Sequence, residues 1–217
     1  MNIGIVLAGG VGNRYGSSIP KQYNDLCGNK VIYYSIMALK NCESIDKVLV
    51  ACDRLYQTDI SKQYNVDVCD GGSTRNITIQ NSLDYIKKNF NNVDKLIFID
   101  SARPLCRHEH ITDVINALDN YDSVITGQKI TDSLGSCNNR NLNREDYYLV
   151  QTPEAFTFNM FNQYFDVNST CTALYQQMPD DSSLYVYFGI KNNMKITYPG
   201  DISYIENNFS EVLEKGK

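Results

Sequence analysis

Short apolar runs alternate with amphipathic segments along this chain, and that alternation is the strongest constraint on its fold. Strands that alternate with helices build parallel sheets covered on both faces. The sequence therefore predicts an α/β, Rossmann-like fold with a mainly parallel sheet and helices on both faces. The predicted strands are Ile3–Leu7, Lys47–Cys52, Val66–Gly72, Leu96–Asp100 and Ser123–Gln128. The predicted helices between them are Val31–Lys40, Arg54–Tyr64, Thr74–Asn89 and His108–Leu118.

The last third of the chain continues this pattern less regularly. Between Ile130 and Tyr148 the composition shifts to Asn, Ser, Asp and Arg, which is typical of a solvated surface loop. Beyond this loop we predict helices over Phe156–Phe165 and Ile202–Leu213, and strands over Leu184–Phe188 and Met194–Tyr198.

Length, charge and cysteine content narrow the class of protein. The 217 residues fit one domain, 1–217, with a full core. A net charge of −5 argues against nucleic acid as the main partner, because there is no basic excess to neutralise its phosphates. No apolar run approaches membrane-spanning length, and the start MNIGIVLAGG lacks the basic region of a signal peptide. The seven widely spaced cysteines favour free thiols in a reducing cytosol, so we expect a cytoplasmic protein. The lack of a membrane-spanning run predicts that the protein has no membrane partner.

A glycine-rich segment follows the first predicted strand. Ala8 to Pro20 contains four glycines and a proline, so we predict a loop. Glycines leave no Cβ in the way, and their backbone N–H groups can approach a phosphate chain closely. Arg14 and Lys21 flank the loop and supply positive charge. A strand, a bare-backbone loop and two cations together predict a site for a nucleoside triphosphate.

Two other structures compete for a glycine-rich segment. A tight turn after an edge strand needs only the glycines. A dinucleotide fingerprint needs GxGxxG at the start of a helix and an acidic residue about 20 positions later. Here the third glycine is displaced, and Ser17, Ser18 and Pro20 delay the first helix until about Lys30. The sequence GxxxxGK[ST] is absent, so the positive charge must come from the two flanking cations.

The segment LAGGVGNRYGSSIPKQY resembles the signature of the polyol-phosphate cytidylyltransferases, which include the methylerythritol 4-phosphate and ribitol 5-phosphate enzymes. The chain departs from that signature at Tyr15, where the family has Met. Related guanylyltransferases share LAGG but lack PKQ, so PKQY is the more specific half. The resemblance implies a nucleotidyltransferase of the glycosyltransferase-A-like fold, with CTP as donor and Mg²⁺ as cofactor. It implies nucleotide contacts from Leu7, Ala8, Gly9, Gly10 and Gly12, and catalytic roles for Arg14 and Lys21.

A second motif follows the third predicted strand. GGSTRNIT, at 71–78, ends a strand and opens a helix, and it is similar to the family's GGxxRxxSV. On its residues alone it also fits a plain strand end in which Ser73 or Thr74 is the helix N-cap. The resemblance implies nucleotide contacts from Gly72, Ser73, Arg75 and Thr78.

Asp100 closes the fourth predicted strand. A carboxylate there can hold Mg²⁺ against triphosphate oxygens, or it can simply cap the next turn. DSARP, at 100–104, is similar to the family's DAARP, with Ser101 in place of Ala. The resemblance implies that Asp100 binds the metal and CTP, that Ser101 and Ala102 contact the nucleotide, and that Arg103 faces the acceptor.

Four further positions are assigned to the acceptor by the resemblance. Arg144 lies eight residues before Thr152 in QTPEAF, the spacing at which the family carries an acceptor-phosphate Arg before its QTPQ motif. Lys195 lies in NNMKITYPGD, which is similar to the closing motif N-x-K-[IV]-T-x-P-x-D. Asp180 follows Pro179, where the methylerythritol enzymes have Thr. Arg144 and Lys195 receive catalytic as well as acceptor-binding roles, although each alone also fits an ordinary surface cation.

The combined motifs predict CMP transfer from CTP to a small polyol phosphate, with release of pyrophosphate. The lost Thr hydroxyl at Pro179, together with LAGG, favours a ribitol- or glycerol-type alditol phosphate, and methylerythritol phosphate is the alternative. Two rival hypotheses are a nicotinamide oxidoreductase and an inactive nucleotide sensor. The displaced glycine and the late helix argue against the first, and the retained cations and Asp100 argue against the second.

The resemblance also implies that residues at about 130–148 form a protruding β-arm that reaches a second subunit. We therefore predict a homodimer. Light scattering at micromolar protein concentration checks this, and the expected mass is twice that of the 24.7 kDa chain. A monomeric mass at that concentration would contradict the prediction.

Overall fold

The computed structural model describes residues 1–10, 15–16 and 19–214. In these ranges the strands are β1 (Asn2–Ala8), β2 (Asp25–Leu26), β3 (Asn29–Lys30), β4 (Lys47–Cys52), β5 (Asp67–Asp70), β6 (Lys95–Asp100), β7 (Ser123–Lys129), β8 (Tyr148–Thr157) and β9 (Leu184–Tyr187). The α-helices are α1 (Val31–Lys40), α2 (Arg54–Tyr64), α3 (Arg75–Asn89), α4 (His108–Ala117), α5 (Phe158–Tyr164) and α6 (Gly200–Glu214). None of these helices combines the length and the apolar character that crossing a membrane requires.

The described strands build one seven-stranded sheet in the order β5-β4-β1-β6-β8-β7-β9, and β2 and β3 form a separate short hairpin. Within the large sheet every strand runs parallel to β1 except β8, which pairs antiparallel with both β6 and β7. The prediction of a mainly parallel α/β sheet is confirmed. Its parallel strands bring their carboxyl ends to one edge, where α/β proteins bind their ligands.

Side chains of β1 alternate between the two faces of the sheet, and helices cover each face. Ile3, Ile5 and Leu7 pack with residues of α3 and α5 on one face. Val6 and Ala8 pack with residues of α1, α2 and α4 on the other face. A strand that is buried on both sides needs this period of two. The prediction of helices on both faces is confirmed.

Strand β8 corrects the predicted helix over Phe156–Phe165. The strand already contains Phe156, and α5 begins only after it ends. Pro153 hid this strand from sequence reasoning, because a residue without an N–H normally interrupts a central strand. In the fold the β7–β8 register shifts between Ile125 and Thr126, beside Pro153, and the ladder continues on either side of the shift.

The predicted strand Met194–Tyr198 is wrong, because this segment forms no ladder. The Ile196 N–H donates to the Ala102 carbonyl (2.9 Å), and the Thr197 N–H donates to the Asp201 carboxylate (2.7 Å). Of its alternating residues only Ile196 is fully buried. The chain from 193 to 197 is therefore an irregular segment that crosses the carboxyl end of β6; we call it the 193–197 segment.

Residues 130–147 form a mostly exposed loop between β7 and β8, with a 3₁₀ turn at Arg144–Asp146. The β7–β8 ladder ends at the pair Lys129 and Tyr148. The β-arm was predicted at about 130–148, but the two-stranded part of β7 and β8 stops before this range, and residues 130–147 form an irregular loop. Polar residues dominate the loop, and such residues give little cross-strand packing to order further strands.

We predict that Phe161→Ala lowers the free energy of unfolding by about 3–5 kcal/mol, because it leaves a cavity in the core. Phe161 is fully buried on α5 and contacts the rings of Phe98, Phe156 and Phe165. Tyr164 on the same helix is 43% exposed, so Tyr164→Ala should cost less than about 1 kcal/mol. Urea denaturation measures both variants, and equal losses would contradict this account of the core.

Candidate active site

A cleft of about 380 Å³ opens at the carboxyl ends of β1, β5 and β6. This is the edge of the sheet at which a ligand site was predicted. The cleft brings together most of the predicted nucleotide and catalytic residues: Leu7, Gly9, Gly10, Lys21, Gly72, Ser73, Arg75, Thr78, Asp100, Ser101, Ala102 and Lys195.

Two glycine turns form the back of the cleft by packing directly against each other. A Cβ at Gly9 would lie 2.7 Å from Thr78 Oγ1 and 3.0 Å from the Gly71 Cα. A Cβ at Gly71 would lie 2.6 Å from the Gly9 Cα. The Thr78 hydroxyl accepts from the Gly72 N–H (2.9 Å) and donates to the Thr74 carbonyl (2.9 Å). Thr78 therefore shapes the turn as well as lining the cleft, and only glycine fits where the two turns meet.

Gln22 fixes the other side of the first glycine turn. Its Nε2 donates to the carbonyls of Ala8 (2.8 Å) and Gly10 (2.9 Å), and its side chain is buried. These two bonds hold the backbone that leaves β1 in an open curve. Sequence reasoning quoted Gln22 within PKQY but gave it no role. Ala8, predicted to contact nucleotide, is buried beneath this curve and does not line the cleft.

Asp100 is the electrostatic centre of the cleft. Lys195 Nζ donates to its Oδ2 (2.7 Å), and Arg103 Nε lies 3.6 Å from the same oxygen. The Asp100 N–H donates to Thr152 Oγ1 (3.0 Å), which fixes the end of β6. Burial opposes ionisation of Asp100, but the positive charges of Lys195, Arg75 and Arg103 hold the pKa of its carboxyl at about 2.

The 193–197 segment is tied to the cleft from three directions. Arg103 Nη1 donates to the Asn193 carbonyl (2.5 Å), and Asn193 Nδ2 donates to the Thr152 carbonyl (2.7 Å). Lys21 Nζ donates to the Ile196 carbonyl (2.5 Å). These bonds hold Lys195 beside Asp100 and tie Lys21 to the residue that follows Lys195. Lys21 and Lys195 thus line the same cleft, and their catalytic roles stay predictions.

Several predicted acceptor residues do not line the cleft of this chain. Arg103 is buried beneath Asp100 and supports the 193–197 segment, and Thr152 is buried behind the end of β6. Arg144 is exposed on the 130–147 loop, where it bonds the Thr131 carbonyl and Glu145. Asp180 lines a separate cavity of about 330 Å³. These four assignments depended on motif spacing, which does not report the direction of a side chain.

Two predicted residues, Gly12 and Arg14, lie outside the described residues. Their roles in nucleotide binding and catalysis stay predictions.

Sequence reasoning missed five residues that shape the cleft. Tyr15, Gln22, Thr74 and Thr197 line it. Thr74 is the N-cap of α3, as one reading of its motif allowed, and its Oγ1 accepts from the Ile77 N–H (3.1 Å). Glu154 does not line the cleft but bonds Arg75, which does (3.0 Å). Each of the five lies within or beside a quoted motif, so the motifs gave the signal without the role.

The cleft suits a metal ion that arrives with phosphates. Within the described residues, Asp100 is the carboxylate of its lining. No group of three or more His, Cys, Asp or Glu side chains there could hold a metal ion without other ligands. Mg²⁺ at phosphate sites takes one or two carboxylates and completes its octahedron with phosphate oxygens and water. A carboxylate that is ionised at neutral pH, beside a phosphate-sized cleft, fits an ion of that kind.

The sequence matches a known enzyme family over nearly its whole length. Residues 3–210 match the family described as IspD: 2-C-methyl-D-erythritol 4-phosphate cytidylyltransferase. A 2-C-methyl-D-erythritol 4-phosphate cytidylyltransferase of Azobacteroides pseudotrichonymphae is 32% identical over 222 residues, which cover 93% of this chain and 96% of that protein. A crystal structure titled 4-diphosphocytidyl-2C-methyl-D-erythritol synthase, from Anaerococcus prevotii, superposes with a TM-score of 0.79 at 23% identity. It covers 97% of this chain and 98% of that one, so the two share a fold.

Longer relatives contain a similar segment. The bifunctional ribulose 5-phosphate reductase/CDP-ribitol pyrophosphorylase Bcs1 of Haemophilus influenzae is 27% identical over 93% of this chain and 46% of its own length. The chain spans about half the length of the bifunctional relatives that it matches.

We predict that Gly9→Ala lowers the free energy of unfolding by about 1–3 kcal/mol, because its methyl group must displace backbone atoms of the second glycine turn. Gly10 is the matched control, since a Cβ there meets no described atom within 4 Å. Gly10→Ala should change the same quantity by less than about 0.5 kcal/mol. Chemical denaturation compares the two variants, and a loss no greater at Gly9 than at Gly10 would contradict the close approach of the turns.

Proposed function

Because this chain belongs to the 2-C-methyl-D-erythritol 4-phosphate cytidylyltransferase family, whose members are cytidylyltransferases, we propose that it transfers CMP from CTP to methylerythritol 4-phosphate. One observation carries the proposal. Lys21 and Lys195 approach the same cleft, beside an ionised Asp100 and a turn of bare backbone. Cations beside a bare-backbone turn support the binding of a chain of phosphates.

The choice of acceptor reverses the expectation from the sequence, which favoured an alditol phosphate. That expectation rested partly on Pro179, which lines the separate cavity with Asp180 and not the cleft. The family match and the 32% identical relative instead favour methylerythritol 4-phosphate. Ribitol 5-phosphate is the second candidate, because the Haemophilus influenzae relative is named for CDP-ribitol formation.

The reaction needs one bond made and one bond broken. An oxygen of the acceptor phosphate attacks the α-phosphorus of CTP in line, and a new phosphorus–oxygen bond forms. The bond from the α-phosphorus to the bridging oxygen breaks, and pyrophosphate leaves with that electron pair. The acceptor phosphate is already ionised at neutral pH, so positioning and charge stabilisation supply the catalysis.

We assign proposed roles to several residues that line the cleft and to Arg14, which lies outside the described residues. The glycine turn at Gly9 and Gly10 and the cations Arg14 and Lys21 hold the triphosphate, and Lys195 balances negative charge on the side of Asp100. Asp100 would hold Mg²⁺, which supplies charge neutralisation across the phosphates when bound. Ser73, Arg75 and the turn they belong to would contact the rest of the nucleotide.

A homodimer would complete the acceptor side. Arg144 is exposed on the 130–147 loop and does not line the cleft of its own chain. We infer that this loop reaches a second copy, where Arg144 would meet the acceptor phosphate. A cytosolic location agrees with the seven cysteines, none of which forms a disulfide.

We predict that pyrophosphate release from CTP is fastest with methylerythritol 4-phosphate in a panel that includes ribitol 5-phosphate and glycerol 3-phosphate. Lys21→Ala should lower turnover by about 10²–10³, because one donor to the transferring phosphoryl group is lost. Lys88→Ala is the matched control. Lys88 is exposed in the last turn of α3, whereas the first residue of that helix lines the cleft, so this substitution should leave turnover unchanged.

Three results would contradict the proposal in different ways. Faster turnover with ribitol 5-phosphate would select the second acceptor, and undiminished turnover of Lys21→Ala would remove the role of that lysine. Thermal stabilisation by NADH and not by CTP would exclude a cytidylyltransferase.

A further inference from the structure

Glu154 is a buried carboxylate at the centre of the sheet. It lies on β8 with Phe98 of β6 on one side and Ile125 of β7 on the other. Its residue surface is only 2% exposed. An ionised carboxyl in such a place is costly unless every oxygen is bonded. Its partners therefore show what holds it there.

Both oxygens of Glu154 accept hydrogen bonds, and they do so from different elements. Oε1 accepts from Arg75 Nη2 (3.0 Å). Oε2 accepts from the backbone N–H groups of Leu174 (2.8 Å) and Tyr175 (3.3 Å). Burial raises the pKa of the Glu154 carboxyl, and Arg75 and these two N–H groups oppose that shift. The carboxylate thus bridges α3 and the chain at 174–175.

Arg75 connects this buried bridge to the cleft. It is the first residue of α3, its side chain is 32% exposed, and it lines the cleft. The next residue, Asn76, donates from Nδ2 to the Ser169 carbonyl (2.9 Å). The start of α3 is therefore tied to the chain between 169 and 175 by Asn76 directly and by Arg75 through Glu154.

Arg75 also acts on a second carboxylate, because its charge contributes to the low pKa of Asp100. Asp100 and Glu154 therefore compete for the positive charge of Arg75. Lys195 and Arg103 already contact Asp100, and a third cation at that carboxylate would compete with a metal ion and with phosphates.

We propose that Glu154 is a positioning residue that holds the Arg75 guanidinium on the nucleotide side of the cleft and away from Asp100. The proposal rests on the proposed CTP site. It assigns Glu154 no contact with substrate, and its effect passes through Arg75.

Glu154→Gln is the informative substitution, because glutamine keeps the volume but has one acceptor oxygen in place of two. Its amide must present NH₂ either to Arg75 or to the two backbone N–H groups, so one tie is lost. We predict that the KM for CTP rises about 10- to 100-fold, the loss expected for a hydrogen bond to a charged group. The KM for the acceptor should stay unchanged.

A double-substitution cycle separates positioning from a merely structural role. If Glu154 acts through Arg75, Glu154→Gln has no further effect on the KM for CTP once Arg75→Gln is present. Additive effects of the two substitutions would overturn the proposal. So would an unchanged KM for CTP in a folded Glu154→Gln protein.

Two further variants keep the test decisive. Asp119→Asn removes the charged partner of Lys95, another largely buried cation that does not line the cleft. It controls for loss of an ion pair and should leave the KM for CTP unchanged. If Glu154→Gln does not fold, Glu154→Asp replaces it, because the shorter carboxylate keeps its charge but withdraws from Arg75. The KM for CTP should then rise by a smaller factor, and no rise would overturn the proposal.

The wild-type protein distinguishes failure of this inference from failure of the proposed function. If wild type neither binds CTP nor releases pyrophosphate with any acceptor, the proposed function fails. If wild type turns over and the Glu154 variants match its KM for CTP, only the role of Glu154 fails.

Discussion

The ionised carboxyl of Asp100 organises the cleft. It is buried at the carboxyl end of β6, and it keeps its charge because Lys195 and Arg103 lie against it and the charge of Arg75 adds to theirs. Arg103 comes from the turn that follows β6 and Lys195 from the distant 193–197 segment, so the carboxylate joins these two segments. Removing one member of such a cluster would leave an uncompensated buried charge, which costs far more than the net stability that the cluster contributes. The shape of the cleft therefore depends on the charges that line it.

The backbone supplies the second constraint. Two glycine turns, one after β1 and one after β5, touch at Gly9 and Gly71, and no side chain fits between them. Gln22 and Thr78 then satisfy the polar groups that these turns expose. A phosphate site needs free N–H groups on a rigid curve, and rigidity here comes from packing of turn against turn. The same contacts make the site part of the core, so a substitution that disturbs the packing also changes the shape of the site.

The antiparallel strand β8 has a different role from the parallel strands of the sheet. The parallel strands β1, β5 and β6 end at the cleft, whereas β8 passes behind it and contributes buried support. Thr152 fixes the end of β6, and Glu154 holds Arg75. Both residues come from QTPEAF, a motif that was predicted from the sequence to bind the acceptor. In this chain the motif contacts the residues that line the cleft and does not line it.

The sequence by itself determined the alternation of strands and helices, the two glycine turns and the cluster of motifs at the strand ends. These features are local, because a few neighbouring residues set the hydrophobic period and the absence of a Cβ. It also led to the cytidylyltransferase family, since LAGG and PKQY are each formed by consecutive residues. Only the tertiary structure decided that Arg103 is buried under Asp100, that Gln22 fixes the first turn and that Glu154 reaches Arg75. It also decided that Pro153 lies within a strand and that the 193–197 segment is not one. Each of those outcomes depends on which distant backbone groups meet, and spacing along the chain carries no record of that.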